Sequence, residues 1–207
     1  MSARGLEALR RFAGGVEPAA ERCALCGVAL GAEHPHLVEP AARRLLCACA
    51  ACAAPAAIGP GGRYRRVPGR VRKLAGLRLD DGRFRELGVP VGLAFLFRNS
   101  VSGRAVAIYP GPAGPTEADV KAEAWAELIR DNPELGALED DVEALLVYRL
   151  GRARAHFVVP VDECYRLVGL VRTLRSSLFG APAPAEVEAF LARLERLAGG
   201  SPGRPGA

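Results

Sequence analysis

No stretch of this chain is apolar for long enough to span a bilayer. The best candidate, Leu45 to Gly59, is short, rich in cysteine and interrupted by Pro55. The start, Met1-Ser-Ala-Arg-Gly-Leu-Glu, has no apolar core of the kind a secretory signal carries, so no export is expected. Aromatic residues make up only 6% of the 207 positions, with one Trp and one Met, and there are three histidines in all. Also missing are a Gly-rich phosphate loop, a nucleophile elbow and a coherent catalytic triad, so nucleotide cradling and triad-type acyl transfer have no carrier. Charge of neither sign dominates: 28 Lys and Arg against 23 Asp and Glu give a net +5. That balance permits an acidic partner without requiring one. The wealth of Ala, Arg, Gly and Pro fits the codon bias of a GC-rich genome and dilutes the meaning of any single arginine. At 50% hydrophobic and 25% charged, the chain is globular in composition and long enough for one main domain plus a small module.

Cysteine is where the sequence is rich. Five of six fall within thirty residues, as Cys23-Ala-Leu-Cys26-Gly and Cys47-Ala-Cys49-Ala-Ala-Cys52, with His34 and His36 between them. Two Cys-x2-Cys pairs separated by 22 residues can offer four thiolates to one tetrahedral ion, each pair gripping it from one tight turn. Clustered pairs without an export signal suit a reducing compartment, where thiols bind metal rather than pair, and the expected location is the cytoplasm. Five cysteines exceed four positions. The set with matched spacing is Cys23, Cys26, Cys49 and Cys52, with Cys47, His34 and His36 as alternates. The plain competing reading makes all five small buried hydrophobes in an Ala-rich segment. Four thiolates close the shell of a zinc ion, which favours a structural zinc; iron, alone or as a cluster, uses similar ligands. The same order of residues is similar to the HNH nucleases. Only ten residues separate His36 from the second cysteine group, however, and the Asn and His that would complete that site do not follow.

Around these residues the expected fold is α+β. Residues 1–15 hold a short amphipathic helix, with Leu6, Leu9 and Phe12 on one side, ended by Gly14-Gly15. The Cys-rich metal-binding module runs over 16–62. Its plan resembles a treble clef or zinc ribbon: a knuckle at Cys23 to Gly27, strands at His36 to Glu39 and Arg43 to Cys47 joined by a turn at Pro40-Ala-Ala, and Cys49 and Cys52 in the first turn of a short helix. Gly59-Pro60-Gly61-Gly62 bounds it. A basic connector, 63–90, includes a helical segment from Asp80 to Leu87. The α+β domain spans 91–198 as a ββα-ββα pseudo-repeat: strands at Gly92 to Arg98 and Arg104 to Pro110 with a helix around Trp125, then strands at Val142 to Arg149 and His156 to Pro160 with a helix from Asp162. This predicts a mostly antiparallel four-stranded sheet with helices on one face. Cys164, Leu167, Val168, Val171, Leu174 and Leu178 line one stripe of the second helix, with Asp162 as its N-cap. A final helix covers Ala185 to Leu197, and 199–207 reads as a disordered tail.

Two further groups invite a functional reading. Arg63, Arg65, Arg66, Arg70, Arg72 and Lys73, with Tyr64 among them, could neutralise phosphates in a nucleic acid, although a solvated linker or edge strand accounts for them more simply. His156, Asp162, Glu163, Cys164 and Tyr165 lie close in sequence, but the apolar stripe and the helix N-terminus explain them by packing and helix electrostatics. Trp125 reads as a core anchor. No catalytic residue is assigned, and a non-enzymatic role is favoured.

Several segments together resemble a known family: Glu21-Arg-Cys-Ala-Leu-Cys-Gly27, Glu33-His-Pro-His-Leu-Val38, Arg43-Arg-Leu-Leu-Cys-Ala-Cys49, Gly92-Leu-Ala-Phe and Val159-Pro-Val-Asp-Glu-Cys-Tyr-Arg-Leu-Val-Gly169. The likeness, from about Leu9 to Leu178, is to an uncharacterised actinobacterial family commonly encoded beside genes for high-affinity nickel–iron hydrogenases. That resemblance implies no activity and no site residues. It implies a context: an accessory protein for hydrogenase assembly or maturation, whose partners are hydrogenase subunits or maturation factors. A zinc-containing nucleic-acid-binding regulator and a rubredoxin-like or iron–sulfur redox accessory protein are the alternatives.

Overall fold

The computed structural model describes residues 21–54, 62–111, 114–150, 153–173 and 185–199. The expected N-terminal helix, most of the Gly-Pro boundary, Leu174, Leu178 and the tail beyond Gly199 lie outside the described residues.

Two antiparallel sheets organise the chain. The small one has order β2-β1-β3, from β1 (His36–Glu39), β2 (Arg44–Cys47) and β3 (Arg65–Arg66). In β1 and β2, His36 faces Cys47 and Glu39 faces Arg44. The turn between them places Arg43 at φ 52, with its amide donating to Pro40 O at 3.2 Å. A short helix, α1 (Ala50–Ala53), follows.

The large sheet has six strands in the order β4-β9-β8-β5-β6-β7. They are β4 (Arg72–Lys73), β5 (Leu93–Arg98), β6 (Ala105–Gly111), β7 (Gly114–Asp119), β8 (Glu143–Tyr148) and β9 (Ala155–Pro160). The four strands expected from sequence form its centre, but two more extend it. β7 carries Pro115, which lacks an amide to donate and is tolerated because β7 is an edge. β4 is a two-residue piece of the basic stretch, while β3, from the same stretch, completes the small sheet.

Helices cover both faces, not one, and the reason is visible in the strands. They are apolar at successive positions, so alternation sends large side chains both ways. Leu93, Phe95 and Phe97 of β5, with Leu146 and Phe157, pack under α4 (Val161–Thr173) and α5 (Ala185–Gly199) through Cys164, Leu167, Val187, Phe190 and Leu194. Ala94 and Leu96, with Leu145, Val147 and Val158, meet α2 (Asp81–Glu86) and α3 (Ala122–Asp131) through Phe84, Trp125 and Leu128. The ββα units are therefore not equivalent: the first has an extra strand, and its helix lies on the opposite face from α4. Asp80 caps α2, its Oδ1 accepting from the Arg83 amide at 2.8 Å. Asp162 is not a cap: α4 starts directly after Pro160, at Val161, and Asp162 sits in its first turn.

The small sheet is two-sided as well. Leu37 turns toward Cys23, Ala48 and Ala53 in the cysteine module. Val38, on the other side, joins Val67, Val142 and Val161 in a junction with the large domain. Beside it lies a cleft of about 220 Å³ lined by Arg43, Leu45, Phe97, Glu117 and Tyr165, among others. Among the described residues no helix is long and apolar enough to cross a membrane.

Candidate metal centre

The first two cysteines sit on a tight β-knuckle. The Cys23 amide donates to Val28 O at 2.8 Å and the Gly27 amide to Cys23 O at 2.8 Å, with a bridge between Arg22 and Ala29 behind them. Gly27 has φ 76, the left-handed region that costs glycine least, and this lets the chain double back after Cys26. The second pair comes from the start of α1. Cys49 occupies its N-cap, and Cys49 Sγ accepts from the Cys52 amide at 3.4 Å. The Ala24 amide donates to Cys47 O at 2.9 Å and ties knuckle to strand end.

This brings the sulfurs of Cys23, Cys26, Cys49 and Cys52 within 4.8 Å of one another. Cys26 Sγ and Cys49 Sγ are 3.8 Å apart. A tetrahedron with metal–sulfur bonds of about 2.3 Å has an edge of about 3.8 Å, so the spacing suits a tetrathiolate ion without rearrangement. The local electrostatics prepare for it. Backbone amides, that of Cys49 first and then those of Leu25 and Cys26, hold the Cys23 thiol down to about 6 against the opposing effect of burial. Cys52 is pushed up to about 12, first by hydrogen bonding to Cys26 and Cys49 and then by burial. Four sulfurs this close compete for protons that a divalent cation would replace. All six cysteines are free thiols.

Cys47 does not belong to that group. As the register partner of His36 it shares a face with His36, opposite from Leu37 and the knuckle, because side chains alternate along a strand. There one ring nitrogen of His34, one of His36 and Cys47 Sγ lie within 4.8 Å of one another. Burial, and then the charge of Glu21, push the Cys47 thiol up. The three residues held in reserve by spacing alone thus form their own cluster. The sequence signal for it was the cross-strand register of β1 and β2, which places His36 opposite Cys47.

Four of the six cations of the basic stretch meet carboxylates, and Arg66 is exposed on β3. Arg63 Nε is 2.9 Å from Glu39 Oε1, Arg65 Nη1 3.3 Å from Asp141 Oδ2, Arg70 Nε 2.8 Å from the fully buried Glu143, and Lys73 Nζ 2.6 Å from Glu195. Arg72 Nε is buried without a hydrogen-bond partner among the described residues. These side chains act as a strap between the small sheet, the large sheet and α5. At the other suspected group, Cys164 is buried in the core and burial raises its thiol well above the ordinary range. Asp162 instead reaches across to the module, with Oδ2 2.9 Å from His36 Nδ1. Glu163 is held by Arg166 and Arg193, joining α4 to α5.

No curated protein and no solved structure matches the chain. One family model does, across residues 22–198, from the knuckle to the last helix. The chain belongs to that family, DUF5947, a family of unknown function.

Proposed function

We propose that this chain is a non-enzymatic, metal-binding accessory protein that supports assembly or maturation of a nickel–iron hydrogenase. Cys23, Cys26, Cys49 and Cys52 would hold a structural zinc, and the α+β domain would present the surface that docks on the partner. The observation that carries the metal half is the convergence of four sulfurs at tetrahedral spacing. Four thiolates leave no open position for substrate, so the ion braces the knuckle against α1 and does no chemistry itself. The hydrogenase half rests on the resemblance described above.

Co-purification from the native host, with metal analysis on the same sample, tests partner and ion together. The expected result is one zinc held by the four cysteines and a hydrogenase subunit or maturation factor in the same fraction. Deleting the gene should lower hydrogenase activity and leave subunit processing incomplete; normal activity and processing would sink this reading. Iron in the same four thiolates would instead give a coloured protein with a measurable reduction potential. A nucleic-acid-binding role predicts affinity that falls steeply with salt. The pairing of Arg63, Arg65, Arg70 and Lys73 with carboxylates weighs against it.

A further inference from the structure

On the opposite face of the small sheet from the four thiolates, we infer that His34, His36 and Cys47 form a second, separate site for a divalent transition-metal ion, with the exposed Glu21 beside His34 free to swing in as a fourth ligand. The inference goes beyond the structural-zinc reading and does not depend on it.

The argument begins with the imidazole tautomers. His36 Nδ1 lies 2.9 Å from Asp162 Oδ2, and a carboxylate only accepts, so the proton sits on Nδ1. His34 Nδ1 lies 2.8 Å from Gly31 O, another acceptor, with the same result. Each ring is therefore left with an Nε2 lone pair, the form in which histidine binds metal. A metal-binding histidine commonly has its other nitrogen held by a carboxylate or a backbone carbonyl, and one of each is present here.

His34 supplies the second observation. Its side chain is only 6% exposed, and its Nε2 is buried with no hydrogen-bond partner among the described residues. The nearest group is Glu21 Oε2 at 3.4 Å. With the ring neutral, two acceptors face each other across that gap, and either a second proton on His34 or a metal ion relieves them. In a tetrahedral site with bonds of about 2.0–2.1 Å to nitrogen and oxygen, neighbouring ligand atoms lie about 3.4 Å apart. A buried nitrogen left without a partner costs stability that a bound ion restores. The strand register supplies the third ligand by fixing Cys47 directly across from His36.

The two sites differ in kind. The tetrathiolate is closed, whereas Glu21 has a side chain 65% exposed and can swing away. A ligand from solvent or from a partner could take its place, so the ion at the second site is exchangeable.

The test loads the full-length protein with cobalt(II) under reducing, anaerobic conditions and counts ions by elemental analysis, with the thiolate-to-cobalt absorption as a signature of each site. Wild type should hold two ions per chain. His36→Ala and Cys47→Ser should each hold one and keep the tetrathiolate spectrum. Asp162→Asn, which leaves every ligand in place, should weaken the second ion by about 10- to 100-fold and leave the first unchanged. If Cys47→Ser does not fold, the wild-type count and the Asp162→Asn affinity decide. A single ion in wild type that is lost in His36→Ala supports this site and refutes the tetrathiolate. A single ion retained in His36→Ala and Cys47→Ser, or two ions retained in both, overturns the proposal.

Discussion

His156 shows at the scale of one residue how burial becomes a pH dependence. Its Nε2 is buried without a hydrogen-bond partner among the described residues, and burial, followed by the charges of Arg149 and Arg154, lowers its pKa from 6.5 to about 4. The fold therefore favours the neutral ring, while the unfolded chain takes up a proton below about 6.5. Stability from this group is complete above 6.5 and is lost as pH falls toward about 4. A full shift is worth about 3 kcal/mol, and partial exposure of the ring reduces it to about 1–2 kcal/mol. In denaturant titrations the wild type should accordingly lose about 1–2 kcal/mol more stability than His156→Phe between pH 6.5 and 4. Arg70 makes a second case. Its Nε serves Glu143, a carboxylate with no exposed surface, which also accepts from the Glu139 amide at 3.0 Å. Arg70→Ala leaves that charge buried, and because Arg70 itself is half exposed the loss should be about 2–3 kcal/mol in thermal or chemical unfolding. Neither role was legible in the sequence. A run of arginines looks the same whether it meets phosphate, solvent or a buried carboxylate, and the deciding partners lie from 24 to 122 residues away.

At the scale of elements the sequence was informative wherever a local rule governs. Cys-x2-Cys-Gly marked the knuckle, Pro40-Ala-Ala the hairpin turn, the segment from Asp80 to Leu87 the helix α2, and the apolar runs the four central strands. What escaped was decided by distant neighbours: the edge pieces β4 and β7, the side of the sheet each helix takes, and the start of α4 one residue before Asp162. Gly92, just before β5, illustrates such a constraint. A Cβ there would lie 2.4 Å from Arg149 O and 3.0 Å from Arg149 C, main-chain atoms that cannot rotate away. The Arg149 amide also donates to Gly92 O at 2.6 Å, so the close approach belongs to the β5–β8 ladder. Gly92→Ala should destabilise by about 1–3 kcal/mol, seen as a lower thermal midpoint with retained secondary structure. By contrast Gly76→Ala meets open space and should be close to neutral.

Taken whole, the molecule is unevenly supported. The large sheet carries two extensive cores, while the module's own buried set is Cys23, Leu37, Ala48 and Ala53. Two alanines, a leucine and a thiol bury little apolar surface for thirty residues, and a metal ion held by the four thiols would supply the remainder. Stripping the protein with chelator should raise hydrogen exchange through residues 21–54 while β5, β8 and β9 stay protected. Arg65 and Asp141, both largely buried, fasten the two parts. Arg65→Ala should cost about 3 kcal/mol and loosen the module even with metal present, as read by exchange at β1 and β3. The outer strands of the large sheet carry a consequence for association. On one side β4 is two residues long; on the other β7 carries Pro115 at its second position and bears Glu117 and Asp119, which pair with Arg43 and Arg104. Short length, proline and charge are what prevent a foreign strand from adding to a sheet. Strand addition at either rim of the large sheet is therefore disfavoured, and that sheet will not template fibrils by growing there.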